Sequence, residues 1–326
     1  MSKYLFLLLF PASWLFIVGC SKKNDDDNGQ VQEPTTTVFE MGYVYSDAVP
    51  NNDYQKSHNN LQSPDSNQLE QSSGLVGGLT NSDLIYICEG RNNPNEIHVF
   101  TQNADYRGKI VVVGATNIDW QDIAIGPGPQ EGINYIYIGD IGDRQSNREF
   151  LSVYRFPEPD LSGQTAPFVV QSSGVERIDF TISQKRDFQT LMVDPITKDI
   201  IVMGTMQAMV YRLRYPQSTS SKNKADYKGH HRLRREIKAG DISPDGKYVL
   251  IKDVGEIFKW DIPAGEDPIK IMFEVAPTKV PYTAEIEGGA LGWTANSNSY
   301  FTITDTDMRD GIRRGQPIMY GYTRTN

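Results

Sequence analysis

Gln121-Asp122-Ile123-Ala124 is a short segment with an aliphatic residue in third position, and four other segments of the chain align with it. They are Ser73-Gly74-Leu75-Val76, Gln189-Thr190-Leu191-Met192, Gly240-Asp241-Ile242-Ser243 and Gly289-Ala290-Leu291-Gly292. The third positions are residues 75, 123, 191, 242 and 291, which gives steps of 48, 68, 51 and 49. A period of about 50 residues in strand-rich sequence is typical of β-propeller blades, each a four-stranded sheet.

The sequence around these segments predicts an all-β protein. Each segment precedes a pair of short runs rich in Val, Ile, Tyr and Phe, with Gly, Pro, Asn and Asp between them. We therefore predict five blades, although a diverged sixth could escape recognition. Residues 269–274 are predicted as an outer strand of the fourth blade, and residues 38–44 as the strand that completes the last blade and closes the ring.

Composition limits the functional classes. Lysine and arginine number 32 against 41 aspartates and glutamates, a formal net charge of −9 with 38% hydrophobic residues. This composition indicates a soluble globular body and argues against a nucleic-acid partner, which requires a basic surface. The 2 cysteines exclude a disulfide scaffold, and neither has a neighbour at metal-ligand spacing.

The N-terminal region predicts a lipoprotein. Residues 4–18 form an apolar run after Lys3, too short for a comfortable membrane span, and Ile17-Val18-Gly19-Cys20 resembles a bacterial lipobox. We expect residues 1–19 to be a signal peptide, Cys20 to carry lipid, residues 20–37 to be a disordered tether, and residues 38–326 to be the propeller. Lysines followed by aspartates after Cys20 favour display on the bacterial outer-membrane surface, of the Bacteroidetes type. The alternatives are anchorage facing the periplasm and an ordinary signal peptide.

Three motifs resemble a family of secreted bacterial β-propellers, within the TolB-like and NHL-like group, whose patterns are DWEDIA, YVGDIGDN and YRxPEP. They are residues 119–124, residues 135–143 and residues 154–159. The resemblance implies the propeller fold and no agreed activity. The family commonly carries glutamate at the first aligned position of the inner strands, where this chain has Gln121, Gln189 and Gly289, and Arg144 replaces the final Asn of the second motif.

The candidate site residues follow from this alignment. If the protein is an enzyme, the acids nearest the axis would act in catalysis, namely Asp119, Asp122, Asp241 and Glu287, with Asp305 as a further candidate. For a binding protein, Gln121 and Gln189 would hydrogen-bond a neutral polar ligand, and Trp120 would offer an aromatic platform, although packing between blades would also explain Trp120.

One calcium site is a further possibility. Asp140 and Asp143 lie at the end of a predicted strand, where two carboxylates could bind Ca²⁺. Capping of turn N–H groups by the same carboxylates is the competing explanation.

We expect a binding or scaffolding module at the cell envelope, with a protein or glycan ligand at the axial face. Glutamines and a glycine at the aligned positions cannot transfer protons, so binding is favoured over catalysis. The alternative is a hydrolase, either calcium-dependent and phosphoesterase-like or glycan-acting, with converging carboxylates in the axial funnel.

Overall fold

The computed structural model of the protein describes residues 37–60, 69, 71–206, 208–232, 235–285, 288–305, 308–309, 312–313 and 317–325. They form five sheets of four or five strands, the blades of a β-propeller, and one separate two-stranded sheet, which confirms the predicted all-β fold and the five blades. A 3-10 turn at Tyr45–Asp47 and strands β1 (Val49–Pro50) and β2 (Tyr54–Asn60) precede the first blade. There follow β3 (Ser72–Gly77), β4 (Leu84–Glu89), β5 (Glu96–Thr101), β6 (Tyr106–Val111), β7 (Trp120–Pro127), β8 (Asn134–Asp140), β9 (Leu151–Pro157), β10 (Phe168–Gln171), β11 (Glu176–Thr181), β12 (Phe188–Val193), β13 (Ile200–Gly204), β14 (Met209–Leu213), β15 (Asn223–Lys224) and β16 (Asp226–His230). The chain continues with β17 (Ile237–Ile242), β18 (Tyr248–Asp253), β19 (Ile257–Asp261), helix α1 (Pro268–Glu274), β20 (Thr278–Val280), β21 (Ala290–Trp293), β22 (Ser299–Ile303), β23 (Met308–Arg309), β24 (Ile312–Arg313) and β25 (Ile318–Arg324).

The innermost strand of each blade is β3, β7, β12, β17 or β21. Neighbouring inner strands contact each other in that order, and β21 contacts β3, which closes the ring. The strands are crowded, because a Cβ atom on Gly74 would lie 2.6 Å from the backbone nitrogen of Ile123, and one on Gly292 would lie 2.2 Å from the carbonyl oxygen of Leu75. The small residues of the repeated segments are therefore required by the closeness of the strands around the axis.

The ring is closed by β2 and not by residues 38–44, so that prediction was wrong. β2 pairs with β25 from Tyr54 opposite Arg324 to Asn60 opposite Ile318, and completes blade 5 as its outer strand. Tyr54 is buried, and its hydroxyl accepts a hydrogen bond from Arg324 at 3.1 Å. An N-terminal strand does pair with the last strand of the chain, as predicted, but this strand is β2 and lies after residues 38–44.

Residues 38–50 instead form a strap along the outside of blades 3 and 4. Phe39 makes a parallel bridge to Gly229 of β16, and β1 pairs in parallel with β20. Phe39, Tyr43 and Tyr45 pack on the core between these blades. Short parallel strands also cover the edges of blades 1 and 2, where β10 pairs with β6 and β15 with β11. Exposed sheet edges are thereby protected against pairing with other chains.

A buried histidine lies beneath the strap. His231 is completely buried, and its Nε2 atom lies 2.8 Å from the carbonyl oxygen of Met272. The hydroxyl of Tyr43 lies 3.1 Å from the same nitrogen, and the hydroxyl of Tyr45 hydrogen-bonds to Nδ1. Burial lowers the pKa of His231 from 6.5 to about 4, so the imidazole is neutral at pH 7.

The prediction of an outer strand at residues 269–274 of blade 4 was wrong, because this segment is helical. Helix α1 occupies Pro268–Glu274, and the outer strand is β20. Asp267 caps the helix, because its carboxylate accepts a hydrogen bond from Ile269 N at 2.9 Å, and proline occupies the first turn. No helix among the described residues is long and apolar enough to cross a membrane.

Candidate functional site

A cavity of about 750 Å³ lies at one end of the propeller axis, and residues of all five blades line it. They come from the beginnings of the inner strands and from the loops that follow the second strands. We call this space the axial cavity, and its walls are formed by Gln71, Ser72, Ser73, Gly90, Arg91, Asp119, Gln121, Arg144, Gln189, Glu236, Lys238, Val254, Tyr282, Glu285, Gly288, Gly289 and Asp305.

Equivalent residues of the five blades form a ring in this wall. The pairing of each inner strand with the second strand of its blade skips one residue in β3, β7, β12 and β17. The skipped residues are Ser73, Gln121, Gln189 and Lys238. All four line the cavity, as does Gly289 just before β21. The sequence alignment chose Gly240 for blade 4, whereas the strand register identifies Lys238. A slip of two residues preserves the alternation of faces along a strand, so the pattern alone could not detect it. The ring consists of Ser73, Gln121, Gln189, Lys238 and Gly289.

Two buried polar atoms in the cavity wall have no protein partner among the described residues. They are Oε1 of Gln189, whose side chain belongs to a residue only 8% exposed, and Oγ of Ser72, which is 1% exposed. A buried polar group without a hydrogen bond costs roughly 1–3 kcal/mol, so such groups are normally satisfied by water or a ligand. Gln189, expected to bind a ligand, thus lines the axial cavity with an acceptor atom that has no partner among the described residues.

Asp122 and Asp241, two of the candidate catalytic acids, do not line the axial cavity. Asp122 accepts hydrogen bonds from Leu191 N and Ile123 N, both at 2.9 Å, and Asp241 accepts one from Trp293 N at 2.8 Å. Each carboxyl thus joins its inner strand to that of the next blade. Burial raises the pKa of Asp122 well above its ordinary value and that of Asp241 to about 8, without exposing either group to a ligand in the cavity.

Asp119 and Asp305 line the cavity, whereas Glu287 lies outside the described residues. Gln121, an expected ligand-binding residue, lines the cavity too, and its Nε2 atom donates to Oδ1 of Asp119 at 2.5 Å. Burial raises the pKa of Asp119, while Gln121 and the nearby guanidinium groups of Arg91 and Arg144 oppose that rise. Asp119 is therefore an acceptor already engaged by its own strand.

Trp120 does not form part of the cavity wall, in contrast to the expectation that it offers a platform for the ligand. Its side chain is completely buried in the core between blades 1 and 2, and its indole Nε1 donates to Thr116 O at 3.1 Å. The interrupted register at Gln121 explains the difference: Gln121 lines the cavity, whereas the adjacent Trp120 packs in the core between blades 1 and 2.

The geometry of Asp140 and Asp143 favours the structural explanation over calcium. Asp140 accepts hydrogen bonds from Arg148 at 3.0 and 3.2 Å and from Asp119 N at 2.8 Å. Asp143 accepts hydrogen bonds from the backbone nitrogens of Asn147 and Arg148. Within the part of the chain that the structure describes, no group of three or more His, Cys, Asp or Glu side chains could hold a metal ion.

The alignment of the five segments did not place Lys238 or Arg91 at the axis, and Arg144 was noted only as a departure from a motif. Arg91 and Arg144 follow the ends of β4 and β8, so both lie in loops between the second and third strands of neighbouring blades. Their shared position after the second strand is the signal that could have identified them. Cys20, the expected lipidation site, lies outside the described residues.

Comparisons with known proteins do not assign a family. No protein-family model matches the chain, and no curated protein sequence matches it. A solved structure of U3-55K resembles it with 12% sequence identity and a TM-score of 0.41, covering 82% of this chain and 98% of that one. The resemblance to the secreted bacterial propellers therefore stays a prediction from the motifs.

Proposed function

We propose that the protein is a binding module whose ligand occupies the axial cavity. The observation that carries this proposal is the pair of unpartnered polar atoms in the wall, Gln189 Oε1 and Ser72 Oγ. The cavity volume of about 750 Å³ lies within the range of small-molecule or peptide sites, roughly 300–1,000 Å³.

The residue types in the ring suit binding better than proton transfer. Serine, two glutamines, lysine and glycine form the ring, and none of them is a carboxylate. A neutral amide offers one acceptor and two donor hydrogens but does not exchange a proton at neutral pH. The ligand is therefore held by hydrogen bonds and charge, while the buried aspartates connect the blades.

We further propose that the protein is anchored to the bacterial outer membrane through lipid on Cys20, with the propeller at the cell surface. The support is the apolar run, the lipobox-like tetrapeptide and the polar tether of the sequence. Cells that produce the protein should incorporate labelled palmitate into it, and Cys20→Ala should abolish the labelling. Unchanged labelling of the variant would refute the anchor.

Site-specific photo-cross-linking in the native cell tests the binding proposal. A photoreactive residue at Val254, which lines the cavity and is 45% exposed, should capture one discrete partner. The same residue at Val169, which is 64% exposed on the outer strand β10, is the matched control. Equal capture at both positions, or none at Val254, would contradict a ligand at the axial cavity.

A further inference from the structure

We propose that the axial cavity binds a carboxylate group of a polypeptide partner, which inserts between the guanidinium groups of Arg91 and Arg144. This inference rests on the proposed function, because it names the chemistry of the ligand at the same cavity.

The two arginines are available charges. Both are exposed and line the cavity, and among the described residues neither forms an ion pair or a hydrogen bond. Arg148, only four residues after Arg144, shows the contrast, since it binds Asp140 through both terminal nitrogens. An unpaired guanidinium group in a cavity wall can donate several N–H groups to an anion. A carboxylate fits this group because it accepts two parallel hydrogen bonds from it.

The acids of the cavity wall do not neutralise these arginines by direct contact. In the described structure no carboxylate forms an ion pair with Arg91 or Arg144, although Asp119 lies close enough for both guanidinium groups to lower its pKa. The other wall carboxylates have cations of their own or lie on blade 5. Glu236 pairs with Lys238 at 3.1 Å, the buried Glu285 pairs with Lys252, and Asp305 follows β22.

The remaining wall atoms favour a polypeptide as the carrier of the carboxylate. The unpartnered Oε1 of Gln189 accepts an N–H, which a peptide chain supplies beside its acidic side chains or its terminus. Aliphatic side chains stand exposed in the loops around the cavity, Met206 at 72%, Ile118 at 48% and Val254 at 45%. Tyr282 is the one aromatic residue among the described wall residues, so the face lacks the row of exposed rings on which sugars stack.

The test compares capped tripeptides that differ in one group. Acetyl-Ala-Glu-Ala-amide should shift the side-chain Nε signals of Arg91 and Arg144 in NMR titrations, and acetyl-Ala-Gln-Ala-amide should bind at least about tenfold more weakly, since charge-assisted bonds are about twice as strong as neutral ones. Arg91→Gln with Arg144→Gln should weaken binding of the glutamate peptide by a similar factor. Arg107→Gln, on the outer strand β6, is the control and should leave the dissociation constant unchanged.

Each other outcome overturns the inference. Equal binding of the two peptides, or binding that survives loss of both arginines, would mean that the arginines hold no carboxylate. A fall in melting temperature of the double variant with no change in peptide affinity would assign the arginines to neutralising Asp119. Binding of galacturonate, but not of the peptides, would replace the polypeptide with an acidic glycan. If the tripeptides fail while Val254 still captures a partner, the carboxylate is wrong and the binding site stands; if both fail, the proposed function fails as well.

Discussion

Replacement of Asp241 by asparagine should stabilise the protein by an amount that grows as the pH rises. The carboxyl is buried, and its pKa is about 8 in the folded protein against 3.8 ordinarily. Between these values the folded state retains a proton that the unfolded state has lost, so the free energy of unfolding falls with rising pH by about 1.4 kcal/mol per pH unit. The amide of the Asp241→Asn variant does not titrate in this range. The difference between variant and wild type should therefore move in favour of the variant by about 3 kcal/mol from pH 5 to pH 7 and level off above pH 8.

Urea unfolding of both proteins at pH 5, 6 and 7 measures this difference. A constant loss of about 1 kcal/mol is expected on top of it, because the amide nitrogen cannot accept one of the two backbone N–H bonds that the carboxyl receives. The matched control is Asp160→Asn, which removes a charge at an exposed position. If the Asp241→Asn difference is the same at all three pH values, the carboxyl does not retain a proton in the folded protein between pH 5 and pH 7, and the raised pKa is wrong.

Three further changes test the architecture. Tyr54→Ala should lower the free energy of unfolding in urea by about 3 kcal/mol, since the ring is buried in the closing strand. Val38→Ala should lower it by less than about 0.5 kcal/mol. Similar losses for the two variants would contradict closure of the ring by β2 and favour residues 38–44. The stability that His231 contributes should be present above pH 6.5 and should fall by about 3 kcal/mol as the pH drops to 4, because the unfolded chain binds a proton that the buried imidazole does not. The His231→Gln variant should lack this pH-dependent part of the free energy of unfolding. Parallel pH profiles of the variant and the wild type would refute the prediction. Glu158→Gln should lower the free energy of unfolding by about 2 kcal/mol, because the carboxylate accepts bonds from Leu79 N, Thr80 N and the Tyr86 hydroxyl; an unchanged denaturation midpoint would contradict this role.

The blades were predictable because inner strands have a strong pattern. They are buried on both faces and crowded at the axis, so they must combine aliphatic residues with small ones, and this combination recurs five times. The closing strand β2 was not predictable in the same way. Its sequence, Tyr-Gln-Lys-Ser-His-Asn-Asn, is polar after the first residue, since an outer strand is partly solvated. The strap alternates apolar residues like a strand, but the chain uses this alternation to cover blades 3 and 4.

The site was predictable only in part, because the partners of a side chain within the protein decide whether that side chain can bind a ligand. Gln121 and Gln189 line the axial cavity, because they occupy equivalent positions in β7 and β12 that the alignment of the segments had matched. The two-residue slip in the alignment hid the position of Lys238 in the ring. No sequence pattern states that Arg148 is paired and Arg144 is not, because that difference depends on the three-dimensional path of one loop.

The choice between binding and hydrolysis depends on which carboxylates remain usable. Asp122 and Asp241 serve backbone N–H groups of the next blade, and Asp140 serves Arg148. Among the described candidates, a hydrolase could therefore draw its acid and base only from Asp119 and Asp305, and Asp119 is already bonded to Gln121. General acid and base catalysis requires two groups that can each approach the substrate and change protonation. Binding requires only donors and acceptors without partners, and the cavity offers these in its two arginines, Gln189 and Ser72.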